Sequence, residues 1–193
     1  MDIHELRQPL CTLCPLHETA RTICVMGNGP VDAIAMIIGE APGANEDEEG
    51  KPFVGKSGQL LDRTLASAGL LREDVYVTNV VKCRPPGNRA PDQEEMDACV
   101  KYLIREYKLI QPKYILLLGN AALHSLTSIQ EGITKARGLI PNERSAFTKS
   151  QTYATIHPSA VRGDDMRAIF ESDVRTFCNV VLGTKKKSVV QTP

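Results

Sequence analysis

The feature that most constrains the fold is an alternation of short apolar runs with longer amphipathic segments. Four runs rich in aliphatic and β-branched residues predict buried strands at residues 33–39, 74–81, 113–119 and 152–156. The segments that follow predict helices at residues 57–69, 92–107, 120–126 and 164–182. Because continuous apolar strands alternating with helices are typical of parallel sheets, we expect an α/β fold. The expected architecture is a three-layer α/β/α sandwich around a mainly parallel four-stranded sheet, with residues 137–140 as a candidate extra strand.

The bulk composition fits one domain with a single core. The 193 residues are 42% hydrophobic, which predicts one domain over residues 1–183, followed by a flexible tail over residues 184–193. The 23 basic and 23 acidic side chains balance to a net charge of zero, which argues weakly against a strongly basic nucleic-acid binder. No stretch of about 18 apolar residues is present to span a membrane, and the N-terminus has no apolar signal core. We therefore expect an intracellular, cytoplasmic protein.

Residues 50–57, GKPFVGKS, satisfy the phosphate-loop pattern G-x-x-x-x-G-K-[ST]. Such a loop follows a strand and receives its phosphate at the start of a helix, but only the helix is predicted here. The residues before Gly50 are interpreted as a loop ending in four acids, which would repel a triphosphate. We interpret the match as accidental and keep a P-loop NTPase only as an alternative. Pro52 has no main-chain N–H to offer a phosphate. The next residue, Phe53, is a candidate to stack on a flat ligand, and the alternative is that its ring only anchors the loop to the core.

Polar side chains follow the predicted strands. Glu40 comes directly after the first strand, Asn79 lies near the end of the second, and His157 comes directly after the fourth. Ligands of open α/β sheets gather beyond the carboxyl ends of the strands, so we expect these three groups to converge on one edge. A carboxamide offers both donors and an acceptor to the edge of a base, and a histidine can donate to an oxygen that becomes negative. The set therefore suits a flat, polar, neutral ligand better than a phosphate.

Four cysteines could share a metal. Cys11 and Cys14 form a C-x-x-C pair, Cys83 opens a polar loop, and Cys99 lies in the helix that follows, on its apolar face. A free cysteine also packs well on such a face, which is the alternative for Cys99. Four thiolates could hold zinc or an iron–sulfur cluster, and the wide split between the last two cysteines favours the cluster. The two remaining cysteines are interpreted as structural: Cys24 and Cys178.

Several stretches together resemble the family 4 uracil-DNA glycosylases, which carry a [4Fe–4S] cluster. They are CTLCPL, GEAPGANEDEEGKPFVGKSGQLL, VYVTNVVKCRPPGNRAP, YILLLGNAAL, ITKARG and HPSA, together with Cys99. The resemblance spans the chain from Cys11 to about Leu182. It implies a monofunctional DNA repair enzyme that flips uracil out of DNA and hydrolyses its N-glycosidic bond, leaving an abasic site. The alternative is a catalytically silent protein of the same fold that binds uracil-containing DNA.

The resemblance also implies roles for individual residues around the base. Phe53 would stack on the flipped uracil, and Asn79 would read its Watson–Crick edge. His157 would bond to O2 and stabilise the departing anion. Glu40 would lie against the base and sugar and help to position water, and Glu46 would lie near C5. The remaining implied substrate contacts are Ala41 and Gly43.

Further implied roles concern the cluster and the DNA. The cluster ligands would be Cys11, Cys14, Cys83 and Cys99, and the cluster would brace the loop that faces DNA. The implied DNA contacts are Lys82, Arg84, Arg89, Ser159, Val161 and Arg162. The implied partner is uracil-containing DNA, bound by a monomer that acts at the nucleoid, with an unspecified replication or repair protein as a further partner. No membrane contact is expected.

Overall fold

The computed structural model of the protein describes residues 10–189, without the side chains of residues 185–189. Its strands are β1 (Ala35–Gly39), β2 (Val75–Asn79), β3 (Tyr114–Leu118), β4 (Gly138–Ile140) and β5 (Gln151–Thr155). Its α-helices are α1 (Leu16–Thr19), α2 (Ala44–Glu49), α3 (Lys56–Ser67), α4 (Gln93–Ile110), α5 (Gly119–Leu126), α6 (Ile133–Ala136) and α7 (Gly163–Val189). Residues 1–9 and 190–193, which fall in the predicted domain and tail, lie outside the described residues.

The sheet has the order β2-β1-β3-β5-β4. Strand β1 pairs in parallel with β2 and β3, β3 pairs in parallel with β5, and only β4 runs antiparallel, against β5. The prediction of an α/β fold with a mainly parallel sheet is therefore confirmed. The sheet has five strands instead of four, because the short segment around Leu139 adds an edge strand.

Both faces of the sheet are covered. Every residue of β1 and of β2 is buried, although successive side chains of a strand point to opposite faces. Helices α3 and α7 pack against each other, α4 packs on β2, and α5 packs on β3. This is the packing that continuous apolar strands require.

Two segments differ from the prediction. Residues 44–49, expected to be a loop, form the helix α2, because acidic side chains there accept hydrogen bonds from main-chain N–H groups. Asp47 accepts from Thr22 N at 2.9 Å and from Arg21 N at 3.2 Å. The expected flexible tail is also helical at its start, since α7 continues to Val189 through a lysine run of good helix formers. Within residues 10–189, no helix combines the length and the apolar character needed to cross a membrane.

Candidate active site

A cavity of about 490 Å³ opens at the carboxyl edge of the sheet. Loops after β1, β2 and β5 and the first turn of α3 form its walls. All residues predicted to bind the base line this one cavity: Glu40, Ala41, Gly43, Glu46, Phe53, Asn79 and His157. The structure therefore places these residues together at the edge where open parallel sheets bind their ligands.

The ring of Phe53 is held by a strained main chain and by two glycines. Phe53 is 6% exposed and has a φ of 57°, in the left-handed region that non-glycine residues rarely adopt. A Cβ at Gly39 would lie 2.5 Å from Phe53 Cζ and 2.5 Å from Asn79 Oδ1, so only glycine lets the ring and the amide meet over the strand end. A Cβ at Gly58 would overlap the Phe53 carbonyl. Sequence reasoning missed both glycines, although the glycine that ends an apolar strand was a visible signal.

Asn79 ends strand β2 and is 1% exposed. Its side-chain Oδ1 is buried and has no hydrogen-bond partner among the described residues. A buried acceptor left unpaired costs about 1–3 kcal/mol, so native structures rarely retain one without a purpose. In a cavity, such an atom is ready to accept a hydrogen bond from a ligand.

His157 is fixed in one neutral tautomer by the turn that follows it. Its Nδ1 accepts from the main-chain N–H of Ser159 at 3.2 Å and lies 2.7 Å from the Ser159 hydroxyl. Because Nδ1 accepts, the proton of the neutral ring is on Nε2, which is therefore a donor. Burial lowers the pKa of His157 to about 4, although the nearby Glu46 acts in the opposite direction. The ring is therefore uncharged at neutral pH.

Two carboxylates of the cavity have different surroundings. Both oxygens of Glu46 are occupied, because Oε1 accepts from Gly55 N at 2.7 Å and Oε2 accepts from Gly43 N at 3.0 Å. Glu46 thus ties the two ends of the Phe53 loop together, and its predicted place near the C5 of a pyrimidine stays a prediction. Glu40 is half-buried, no described residue bonds to its carboxylate, and desolvation raises its pKa. It is the carboxylate that remains free to bind water.

The four predicted metal-binding cysteines line one small pocket: Cys11, Cys14, Cys83 and Cys99. Several of their sulfurs accept hydrogen bonds. The main-chain N–H of Lys82 donates to Cys99 Sγ at 3.2 Å, and the hydroxyl of Tyr102 donates to Cys11 Sγ at 3.3 Å. Such bonds are those that cluster thiolates accept. Within residues 10–189, however, no three His, Cys, Asp or Glu side chains are arranged as a metal-binding group.

Cys24, interpreted from the sequence as merely structural, also lines the cysteine pocket. Its main-chain N–H approaches Cys83 Sγ at 3.5 Å, and its φ is 56°. Hydrogen bonding from Cys24 lowers the pKa of the Cys83 thiol to about 7, against the effect of burial. The pocket therefore contains five cysteines, and nothing in the spacing of Cys24 indicated this.

The predicted DNA contacts differ in accessibility. Lys82 is fully buried and forms an ion pair with Glu106 at 2.6 Å, so the prediction that Lys82 touches DNA is wrong. Arg84 donates to Asn88 Oδ1 at 2.7 Å, and Arg89 makes a two-pronged contact with Glu95 at 2.6 and 2.9 Å. The three remaining predicted DNA contacts follow β5. Ser159 and Arg162 are exposed, and Val161 is half-buried.

Comparison with known proteins agrees with this fold. Residues 26–176 match the family described as the uracil DNA glycosylase superfamily. The chain therefore belongs to this superfamily. It is 40% identical to the type-4 uracil-DNA glycosylase of Pyrobaculum aerophilum, covering 92% of this chain and 93% of that protein.

Two further relatives have the same description. The type-4 uracil-DNA glycosylase of Thermotoga maritima is 41% identical, over 90% of this chain and 91% of the relative. That of Archaeoglobus fulgidus is 41% identical, over 86% of this chain and 85% of the relative. The resemblance noted in the sequence is thereby confirmed.

Proposed function

We propose that the protein is a monofunctional uracil-DNA glycosylase that binds uracil extruded from DNA and hydrolyses its N-glycosidic bond. The products are free uracil and an abasic site. The observation that carries the proposal is one cavity that combines the ring of Phe53, the Nε2–H of His157 and the amide oxygen of Asn79, which has no hydrogen-bond partner among the described residues.

Recognition of uracil follows from the first two groups. Extruding a base from the duplex costs a few kcal/mol, and stacking on an aromatic ring returns about 1–3 kcal/mol, which Phe53 supplies. Uracil N3–H donates to Asn79 Oδ1, and uracil O4 accepts from the amide nitrogen. Cytosine has an acceptor at N3 and a donor at C4, so it leaves both partners unpaired. Buried mismatches of this kind discriminate strongly.

Bond cleavage relies on His157. When the bond between C1′ and N1 breaks, its electron pair goes to the base, and the sugar becomes cationic at C1′. The Nε2–H of His157 donates to O2, where negative charge develops, and a donor in such a position is worth about 10²–10³ in rate. With a pKa of about 4, the ring does this as a neutral donor. Water held by Glu40 then attacks C1′, and the proton that it loses neutralises the departing uracil anion, which completes the hydrolysis.

We further propose that Cys11, Cys14, Cys83 and Cys99 hold a [4Fe–4S] cluster. Their common pocket, together with the N–H and O–H groups that donate to their sulfurs, supports this donor set. When bound, the cluster supplies cross-links that brace the segment after β2.

Contacts with DNA are proposed for the exposed rim of the cavity. Arg84 and Arg89 lie on the braced segment, and Arg89 and Ser159 line the cavity itself. Val161 and Arg162 follow on the same turn and are proposed to enter the minor groove.

The decisive test uses an oligonucleotide that carries one uracil. After incubation with the protein, heating in alkali breaks the strand wherever an abasic site has formed. We expect breaks at the uracil, and none in a matched oligonucleotide with cytosine in its place. Tight binding without breaks would contradict the enzyme and favour a silent uracil-DNA-binding protein.

A further inference from the structure

A network of buried, mutually hydrogen-bonded polar groups contacts the main chain of Asn79. None of the binding and cleavage steps proposed for the reaction uses it. Lys82 lies three residues after Asn79, and its side chain is fully buried. Its Nζ donates to Thr78 Oγ1 at 2.6 Å, to the Asn79 main-chain carbonyl at 2.7 Å and to Glu106 Oε2 at 2.6 Å. Because an ammonium has three N–H donors, every donor of Lys82 is used.

Glu106, on α4, is equally saturated. Its carboxylate accepts from the Lys82 ammonium, from Gly27 N at 2.7 Å, from the Tyr76 hydroxyl at 3.1 Å and from the Thr78 hydroxyl at 2.8 Å. A carboxylate offers about four acceptor positions, so none is left over. A buried charge pair that is fully hydrogen-bonded is rigid, whereas loss of one member leaves an unpaired charge.

The main-chain carbonyl of Asn79 needs such a partner because β2 is an edge strand. The N–H of Val80 donates inward to Gly39 O at 3.0 Å. In a trans peptide the N–H and C=O point in opposite directions, so the Asn79 carbonyl points to the outer edge, which Asn28 covers two residues earlier, at Val77. Lys82 takes the place of a neighbouring strand there. Since Asn79 Oδ1 has no partner in the described chain, its position depends on the main chain that Lys82 holds.

We propose that Lys82, fixed by Glu106, is a positioning residue that aims the amide of Asn79 at the extruded base. The main-chain N–H of Lys82 also donates to Cys99 Sγ at 3.2 Å. One residue thus connects the base-reading amide to the cysteine pocket. This inference rests on the proposed function, and it replaces the expected surface role of Lys82 with a role behind the site.

The double variant Lys82→Met/Glu106→Gln tests the inference, because it removes both charges and leaves neither unpaired. We expect single-turnover excision at saturating uracil-containing DNA to slow by about tenfold or more, since small misplacements of a positioning group have large effects. Free uracil, measured by calorimetry, should bind more weakly by a similar factor. The KM for DNA, its salt dependence and the iron content should stay unchanged. A folded double variant with wild-type excision and uracil binding would overturn the proposal.

A comparison of two single variants tests the same inference without requiring the double variant to fold. Thr78→Val and Tyr76→Phe each remove one hydroxyl that donates to Glu106, but only Thr78 also contacts Lys82. We expect excision about threefold slower or more in Thr78→Val, which loses its hydrogen bonds to both Lys82 and Glu106, and a smaller effect in Tyr76→Phe, which loses one bond to Glu106. Equal rates in the two variants would overturn the role of Lys82. If the wild-type protein releases no uracil, the proposed function is wrong instead, so the two failures are distinct.

Discussion

The rings of Phe53 and His157 lie with their centroids 6.0 Å apart and their planes tilted by 40°. Phe53 comes from the loop between α2 and α3, and His157 directly follows β5, so two distant segments meet at one edge of the sheet. Gly39 leaves space beside the Phe53 ring and the Asn79 amide. We propose that a base bound there stacks on Phe53, is read by Asn79 and is polarised by His157.

Phe53→Leu should slow uracil excision about ten- to a hundredfold, because it removes the flat ring but keeps apolar bulk. Single-turnover rates on a uracil oligonucleotide measure the effect. The matched control is Phe147→Leu. The ring centroid of Phe147 lies 4.5 Å from that of Tyr107, and Phe147 does not line the cavity. An equal loss in both variants would show that the ring of Phe53 acts only through folding.

Asn79→Asp should lower uracil excision about a hundredfold or more and narrow the preference for uracil over cytosine, because it replaces the amide donor to O4 with an acceptor. Rates on matched uracil and cytosine oligonucleotides give both quantities. Asn142→Asp, at an exposed turn, is the control with the same change of chemistry. Unchanged uracil preference in Asn79→Asp would remove Asn79 from the recognition mechanism.

Acid should reveal the lowered pKa of His157. Its pKa is lowered from 6.5 to about 4, so the unfolded chain takes up a proton as pH falls through this window before the folded protein does. The fold is therefore expected to lose stability as pH falls from 6.5 toward 4. Thermal unfolding against pH should show a shallower decline in His157→Gln than in wild type, with His124→Gln, at an exposed position, as control.

The same histidine predicts the pH profile of the reaction. The contribution of neutral His157 should persist until the pH approaches 4, and His157→Gln should excise uracil about 10²–10³ times more slowly. The excision rate of the wild type could instead fall with the protonation of a group near pH 6.5. If that fall is absent in His157→Gln, the assignment of His157 as a neutral donor is wrong.

Glu40→Gln should slow excision and stabilise the fold at neutral pH. Burial raises the pKa of Glu40, so the unfolded chain loses this proton at lower pH than the folded protein does. The ionised carboxylate therefore destabilises the fold as pH rises, and the neutral amide removes that effect. The melting temperature and the excision rate should change in opposite directions, whereas Glu143→Gln, at an exposed position, should change neither.

Cys83→Ala should lose iron and sulfide, because one of the four proposed thiolates is removed. Two control variants should retain iron and sulfide. Cys178→Ala changes a buried residue of α7, and Cys24→Ala changes the fifth cysteine of the pocket. Iron and sulfide analysis of anaerobically purified protein measures the outcome. If Cys83→Ala retains iron and Cys24→Ala loses it, the cluster ligand is Cys24 and not Cys83. One zinc per chain without iron would contradict the proposed cluster.

The sequence predicted the sheet and the cavity well because both depend on short-range patterns. Apolar runs located four strands, and parallel pairing places their polar ends at one edge. The helix α2 was missed because its support lies outside the segment, where Asp47 accepts hydrogen bonds from Arg21 and Thr22, distant in sequence. Lysine is rarely buried, so nothing local indicated that Lys82 lies inside the protein.

The sequence alone determined which chemical groups follow each strand. Only the tertiary structure decided what each polar group pairs with. Lys82 turns inward because Glu106, 24 residues later on another element, supplies a carboxylate there, and Cys24 joins the cysteine pocket because its main chain passes beside Cys83. Partners of this kind are set by packing between elements, since a buried donor or acceptor must find its complement wherever the fold brings one.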